Sequence, residues 1–150
     1  MVATLLLVVL LLGNVPHPPA PGKKPVTLRI LPIGDSITWG YLHSALTVGP
    51  EGGYRLTLYN ALTEAGQAVQ MTGNLSDGSA LPADQRAHEG HSTFVISQAE
   101  FFTPGWIADA DPDYILLILG TNDMYPPGTY PTENPDGAPT RLASLLTTIH

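Results

Sequence analysis

The order of apolar and polar positions divides the chain into alternating strand and helix patterns. An apolar run at Ile30, Leu31 and Ile33 breaks at Gly34-Asp35-Ser36, which reads as a strand over residues 26–33 ending in a turn. Residues 41–51 read as a loop containing His43. Residues 53–65 read as a helix, with Tyr54, Leu58, Ala61, Leu62 and Ala65 on one face and Gly66 as its stop. A short strand over 68–72 follows, then a long polar loop over 73–91, then a helix over 93–102 with Phe94, Ser97 and Phe101 on one face. Residues 113–119 carry the clearest strand, because Tyr-Ile-Leu-Leu-Ile-Leu is apolar throughout. A strand without alternation is buried on both faces, as in a central parallel strand. Gly120-Thr121-Asn122-Asp123 closes it, a Pro/Gly/Tyr loop spans 124–137, and residues 139–150 form a helix with Leu142, Leu145, Leu146 and Ile149 at 3-4-3 spacing. Strands alternating with helices predict an α/β class, a three-layer α/β/α sandwich on a parallel sheet.

The N-terminal run from Thr4 to Leu12 is apolar but too short to span a bilayer, which takes about 20 residues. Prolines at 16, 18, 19, 21 and 25 follow it. The pattern reads as a signal peptide with a proline-rich linker over residues 1–22, leading to one domain over 23–150 and a secreted product. The competing reading is an N-terminal strand.

Composition narrows the partners. The net charge is −7 with only six Lys and Arg, so the basic face that nucleic-acid binding needs is lacking, and a neutral substrate fits better than an anionic one. There are no cysteines, which excludes disulfides and thiolate metal sites. Nothing calls for a cofactor, a metal or an obligate protein partner. His88-Glu89-Gly90-His91 lacks the helical i, i+4 spacing of a zinc protease, and residues 34–40 lack a phosphate-loop pattern.

Two strands end in polar turns, at Ser36 and at Asn122. On neighbouring parallel strands these turns meet at one end of the sheet, where open α/β sheets hold ligands. By itself Ser36 reads as a nucleophile, a helix cap or a phosphate contact. Its meeting with a side-chain amide pairs a hydroxyl with a donor suited to the oxyanion of acyl transfer.

Gly34-Asp35-Ser36 with Ile37, Thr38 and Gly40, Gly120-Thr121-Asn122-Asp123, and His88-Glu89-Gly90-His91-Ser92 together resemble the SGNH, or GDSL-type, hydrolases. Within them the chain is most similar to the acetylxylan-esterase-like carbohydrate esterases of family 3. The resemblance runs from about Leu28 to the end. It implies a flavodoxin-like sheet in the strand order 2-1-3, and a serine esterase removing acetyl groups from a polysaccharide such as xylan. It implies Ser36 as nucleophile and oxyanion donor, Asn122 as a second donor, and the Thr93 backbone N–H as a third. Relatives often have Gly where Thr93 stands, so that role requires a site that does not need positive φ; Gly73 and Gly90 are weaker substitutes. Asp35, His91, Trp39 and Tyr125 are candidate substrate contacts, with Tyr130 a further aromatic; Asp35 and Asp123 also read as structural.

The family's late Asp-x-x-His block is absent: no Asp stands three positions before a His, and Thr147 holds that place before His150. With three strands where the family has about five, the expectation is a chain cut short before its C-terminal strands. The 113–119 strand then forms an exposed apolar edge. Two further readings stay open: an inert fragment or pseudo-enzyme that at most binds carbohydrate, and an esterase of lipid or short-chain acyl substrates. His88 or His91 as a substitute base is a weaker option, since neither has the Asp spacing.

Overall fold

A computed structural model describes residues 7–12, 26–125 and 133–149, the first of these as backbone only. The proline-rich linker, Tyr130 and His150 lie outside the described residues. The body is a mainly parallel sheet between helices. Its strands are β1 (Leu7–Leu12), β2 (Leu28–Gly34), β5 (Val69–Met71), β6 (Leu75–Ser76), β7 (Ala87–Gly90) and β8 (Tyr114–Leu119). The order is β1-β8-β2-β7-β6, with β5 also paired to β2. Strands β3 (Tyr41–Leu42) and β4 (Thr47–Val48) form a small hairpin within the segment read as a loop. The helices are α1 (Ser36–Trp39), α2 (Arg55–Glu64), α3 (Ile96–Ala110) and α4 (Ala138–Ile149).

Strand β2 is the axis. It pairs in parallel with β8 along Ile30↔Tyr114 to Gly34↔Ile118. On its other side β5 takes the first half, Leu28 to Ile30, and β7 takes the tip, Ile33 and Gly34. The central strands thus keep the expected order, with the second strand's place shared by two short ones. Alternation separates the faces. Leu31, Ile33, Ile115, Leu117 and Leu119 pack under α3 and α4, whereas Ile30 and Leu116 join Val69 and Met71 beneath α2. Burying each such side chain contributes about 1.5–3 kcal/mol.

Four expectations are corrected. The polar stretch over 73–91 contains β6 and β7; Ala-His-Glu-Gly has no apolar pattern and becomes a strand because its backbone pairs with β2 and β6. The helix expected over 93–102 is α3, which begins at Ile96 and runs through Pro104 to Ala110. Ile96, Ala99, Thr103, Trp106 and Ala110 form its buried stripe, and this burial overrides the local break. Phe101 is 78% exposed, so the face assigned through it is wrong. Finally, the outer edge of β8 is not bare. Leu7–Leu12, within the run read as a signal core, pairs with it antiparallel from Leu7↔Leu119 to Leu12↔Tyr114.

Candidate active site

Three neighbouring parallel strands, β7, β2 and β8, deliver their C-terminal loops to one end of the sheet. Ser36 is the first residue of α1, immediately past the tip of β2. Asp35 is the N-cap, its Oδ1 accepting the Ile37 N–H at 2.8 Å. The turn is possible because α1 lies almost on the sheet. A Cβ on Gly34 would stand 2.1 Å from Thr38 Oγ1, and one on Gly90 would stand 2.3 Å from the Trp39 nitrogen. Both strand tips therefore require glycine.

The β7 loop joins the tip of β2 through the His91 N–H, which donates to the Gly34 carbonyl at 2.9 Å. The β8 loop joins the β7 loop through Asn122, whose Nδ2 donates to the Phe94 carbonyl at 2.8 Å. One amide hydrogen is used there, which leaves the second for another acceptor. Asp123 is wholly buried and ties the same loop to two helices. Its Oδ2 accepts the Ile96 N–H at the start of α3, and its Oδ1 accepts Arg141 of α4 at 2.9 Å. Arg141 also pairs with Glu133, which is bonded to Ser97.

Thr93 adopts φ +67°. The site therefore does need the left-handed conformation, the condition under which a threonine is strained. The Gly90 N–H is taken by His88 Nδ1 at 2.9 Å, so it is not a free donor. Asp35 is corrected as a substrate contact: it is wholly buried, and burial raises its carboxyl above the usual range. Trp39 and His91 line an open groove beside α1, and Tyr125 is 47% exposed just after the Asn122 turn.

Neither candidate histidine base is hydrogen-bonded to Ser36, whose hydroxyl has no hydrogen-bond partner among the described residues. His88 is wholly buried. Its Nδ1 accepts from Gly90, so Nε2 carries the proton and faces Asp77 Oδ2 at 3.4 Å. Burial, reinforced by the nearby Arg55 charge, lowers its pKa to about 4 and keeps it neutral. His91 Nε2 bonds Glu89 Oε2 at 2.9 Å, and its ring stacks on Trp106 and Phe94. Among the described residues there is no cluster of three or more His, Asp or Glu that holds a metal.

The residue that sequence reasoning missed is Arg55. It is wholly buried without a carboxylate. Its guanidinium donates to the carbonyls of Thr38 at 3.0 Å, Trp39 at 3.4 Å, Asp77 at 3.1 Å and Arg86 at 2.8 Å. Two of these end α1, so the cation caps the helix that carries Ser36. A signal was present: Arg55, Leu58, Tyr59 and Leu62 share helical spacing, and Arg55 is the one Lys or Arg between Arg29 and Arg86.

No family model matches the chain. It is similar to a multidomain esterase of Ruminococcus flavefaciens, 28% identical over 90% of this chain and 19% of that protein. Among solved structures it resembles a family 3 carbohydrate esterase of Clostridium thermocellum, with TM-score 0.65 and 32% identity over 83% of this chain and 55% of that one. A family 3 carbohydrate esterase of Talaromyces cellulolyticus shares the fold at TM-score 0.63 and 23% identity, over 81% of this chain and 55% of that one. The chain thus spans about half the length of these structural neighbours. Its mixed α/β fold is that of SGNH-type carbohydrate esterases, and its relatives are esterases.

Proposed function

From the likeness to family 3 carbohydrate esterases, we propose that this chain carries the nucleophile and oxyanion hole of a secreted serine esterase. Its substrate is an acetyl ester on a neutral polysaccharide such as xylan. The observation that carries the reading is the convergence of the Ser36, His91–Phe94 and Asn122 loops at the ends of three adjacent strands. In this reading Ser36 Oγ attacks the ester carbonyl. Charge develops on the carbonyl oxygen, and the N–H groups of Ser36 and Thr93 with the Asn122 Nδ2 hydrogen not used by Phe94 receive it. The Ser36 proton passes through solvent water, no base being bonded to Ser36 among the described residues, to the departing sugar oxygen; collapse then releases the sugar alcohol and leaves an acetyl-serine, which water hydrolyses to acetic acid and free Ser36. Export is read from the Thr4–Leu12 run, with residues 1–22 removed; that cleavage would take β1 away from β8 and bare its edge, so N-terminal sequencing of the exported protein decides between a signal and an edge strand.

Turnover of p-nitrophenyl acetate is the direct test. The reading expects activity that Ser36→Ala abolishes and Asn122→Ala lowers by about 10²–10³ in kcat. Activity that survives Ser36→Ala removes Ser36 from the mechanism. A chain with no Ser36-dependent turnover supports the non-catalytic reading, which rests on the lack of a histidine bonded to Ser36 among the described residues. A longer-chain acyl substrate is favoured by a different observation, an apolar cavity of about 400 Å³ beside the Asn122 turn, walled by Ile96, Leu119, Met124 and Leu142. Comparing acetyl with longer acyl esters separates the two substrates.

A further inference from the structure

The groove beside α1 is not used by the acyl-transfer steps. It encloses about 270 Å³ and is lined by Trp39, Asp77, Gly90, His91, Ser92 and Phe94 among others. Trp39 stands one turn beyond Ser36 on the same short helix, so the groove adjoins the proposed nucleophile. Its indole stacks on Tyr41 with ring centres 5.9 Å apart. Its Nε1 donates to Asp77 Oδ2 at 2.8 Å, the same oxygen that faces the Nε2 proton of buried His88. Oδ2 of Asp77 is therefore held by the Trp39 N–H, while His88 Nε2, 3.4 Å away, makes no hydrogen bond to it. The other, Oδ1, has no hydrogen-bond partner among the described residues, and the side chain is 37% exposed. Among the described residues, no Lys or Arg lines the groove.

A carboxylate fixed on one side presents its free lone pairs in one direction and accepts charge-assisted hydrogen bonds from hydroxyls. Aromatic rings suit the apolar C–H face of a pyranose, and Trp39, His91 and Phe94 line the groove. Arg55 donates to the Asp77 backbone carbonyl but does not line the groove, so the Asp77 carboxylate is the charge an anionic ring would meet there. We propose that this groove is the subsite for an uncharged sugar ring on the leaving-group side of the ester, and that Asp77 accepts its hydroxyls and selects against uronic acids. The inference rests on the esterase reading only for the side of the ester it serves; sugar binding itself needs no turnover.

The test is calorimetric titration of the full chain with xylotetraose and with a galacturonic acid tetramer. Wild type is expected to bind the neutral sugar at least tenfold more tightly than the anionic one. Asp77→Asn, which keeps an acceptor for Trp39, is expected to weaken xylotetraose about tenfold and to shrink the discrimination to within about threefold, with an unchanged melting curve. Trp39→Phe keeps an aromatic ring, though a smaller one, and removes the tie to Asp77, so it is expected to retain binding better than Trp39→Ala. Equal affinity for the two sugars in wild type, or unchanged discrimination in Asp77→Asn, overturns the proposal. Sugar binding without Ser36-dependent turnover leaves the subsite standing and sinks the esterase; turnover without sugar preference does the reverse.

Discussion

Replacing Thr93 with glycine is expected to make the protein more stable. Thr93 sits at φ +67° with its side chain exposed. An L-residue in the left-handed region is disfavoured by roughly 1–2 kcal/mol, and a β-branched side chain is among the least tolerant there. Its one side-chain hydrogen bond goes to the adjacent Ser92 carbonyl at 2.5 Å, an exposed local contact whose loss matters little. Glycine removes the strain but loses more chain entropy on folding, which takes back roughly 0.4–1 kcal/mol. The net expectation is about 1 kcal/mol of added stability, or about 3–5 °C in Tm for a domain of this size. Urea unfolding should show a higher midpoint with an unchanged slope. Thr93→Ala keeps the Cβ that creates the strain, so it should stay within about 0.5 kcal/mol of wild type. The order Gly above Ala and Thr is the signature. A Thr93→Gly protein no more stable than Thr93→Ala refutes the strain and, with it, the claim that this loop demands positive φ. Because the backbone N–H is retained, Ser36-dependent turnover should not fall.

Two other perturbations test the supports of the site. Arg55→Met leaves one buried and three partly buried carbonyls without their donor and is expected to destabilise by roughly 3 kcal/mol, with Arg55→Lys intermediate; a change under about 0.5 kcal/mol in urea midpoints would show that the cap is not needed. His88 predicts a stability loss in mild acid. Its folded pKa of about 4 lies below the ordinary 6.5, so the unfolded chain binds the proton first. Stability is fully present above about pH 6.5 and falls by roughly 3 kcal/mol as the pH drops through about 4. Asp35, whose pKa is raised by burial, acts in the opposite direction, so the readout is the difference between wild type and His88→Asn. Parallel stability curves for the two proteins between pH 7 and 4 would exclude the buried neutral histidine.

The chain's own pattern determined the central architecture. Tyr114–Leu119 is apolar at every position and is buried from Ile115 onward, as a strand covered on both faces must be. Leu142, Leu145, Leu146 and Ile149 do form the inner face of α4. The polar turns after β2 and β8 were legible because Gly, Asp, Ser and Asn interrupt apolar runs abruptly, and parallel pairing of those runs brings the turns together. Periodicity reports burial, however, and so is silent wherever burial does not set the structure. Ala87–Gly90 is a strand through backbone pairing alone. The helix through Pro104 persists because its stripe is packed against the sheet, a long-range gain that outweighs a local break. Whether Thr93 takes positive φ depends on how the loop is held between Gly34 and Asn122. Likewise, a buried arginine without a carboxylate becomes intelligible only when carbonyls from α1, Asp77 and Arg86, distant in sequence, converge on it. Local sequence sets which groups are available; the tertiary structure decides which of them meet, because hydrogen bonds and desolvation act over a few ångströms of space and not along the chain.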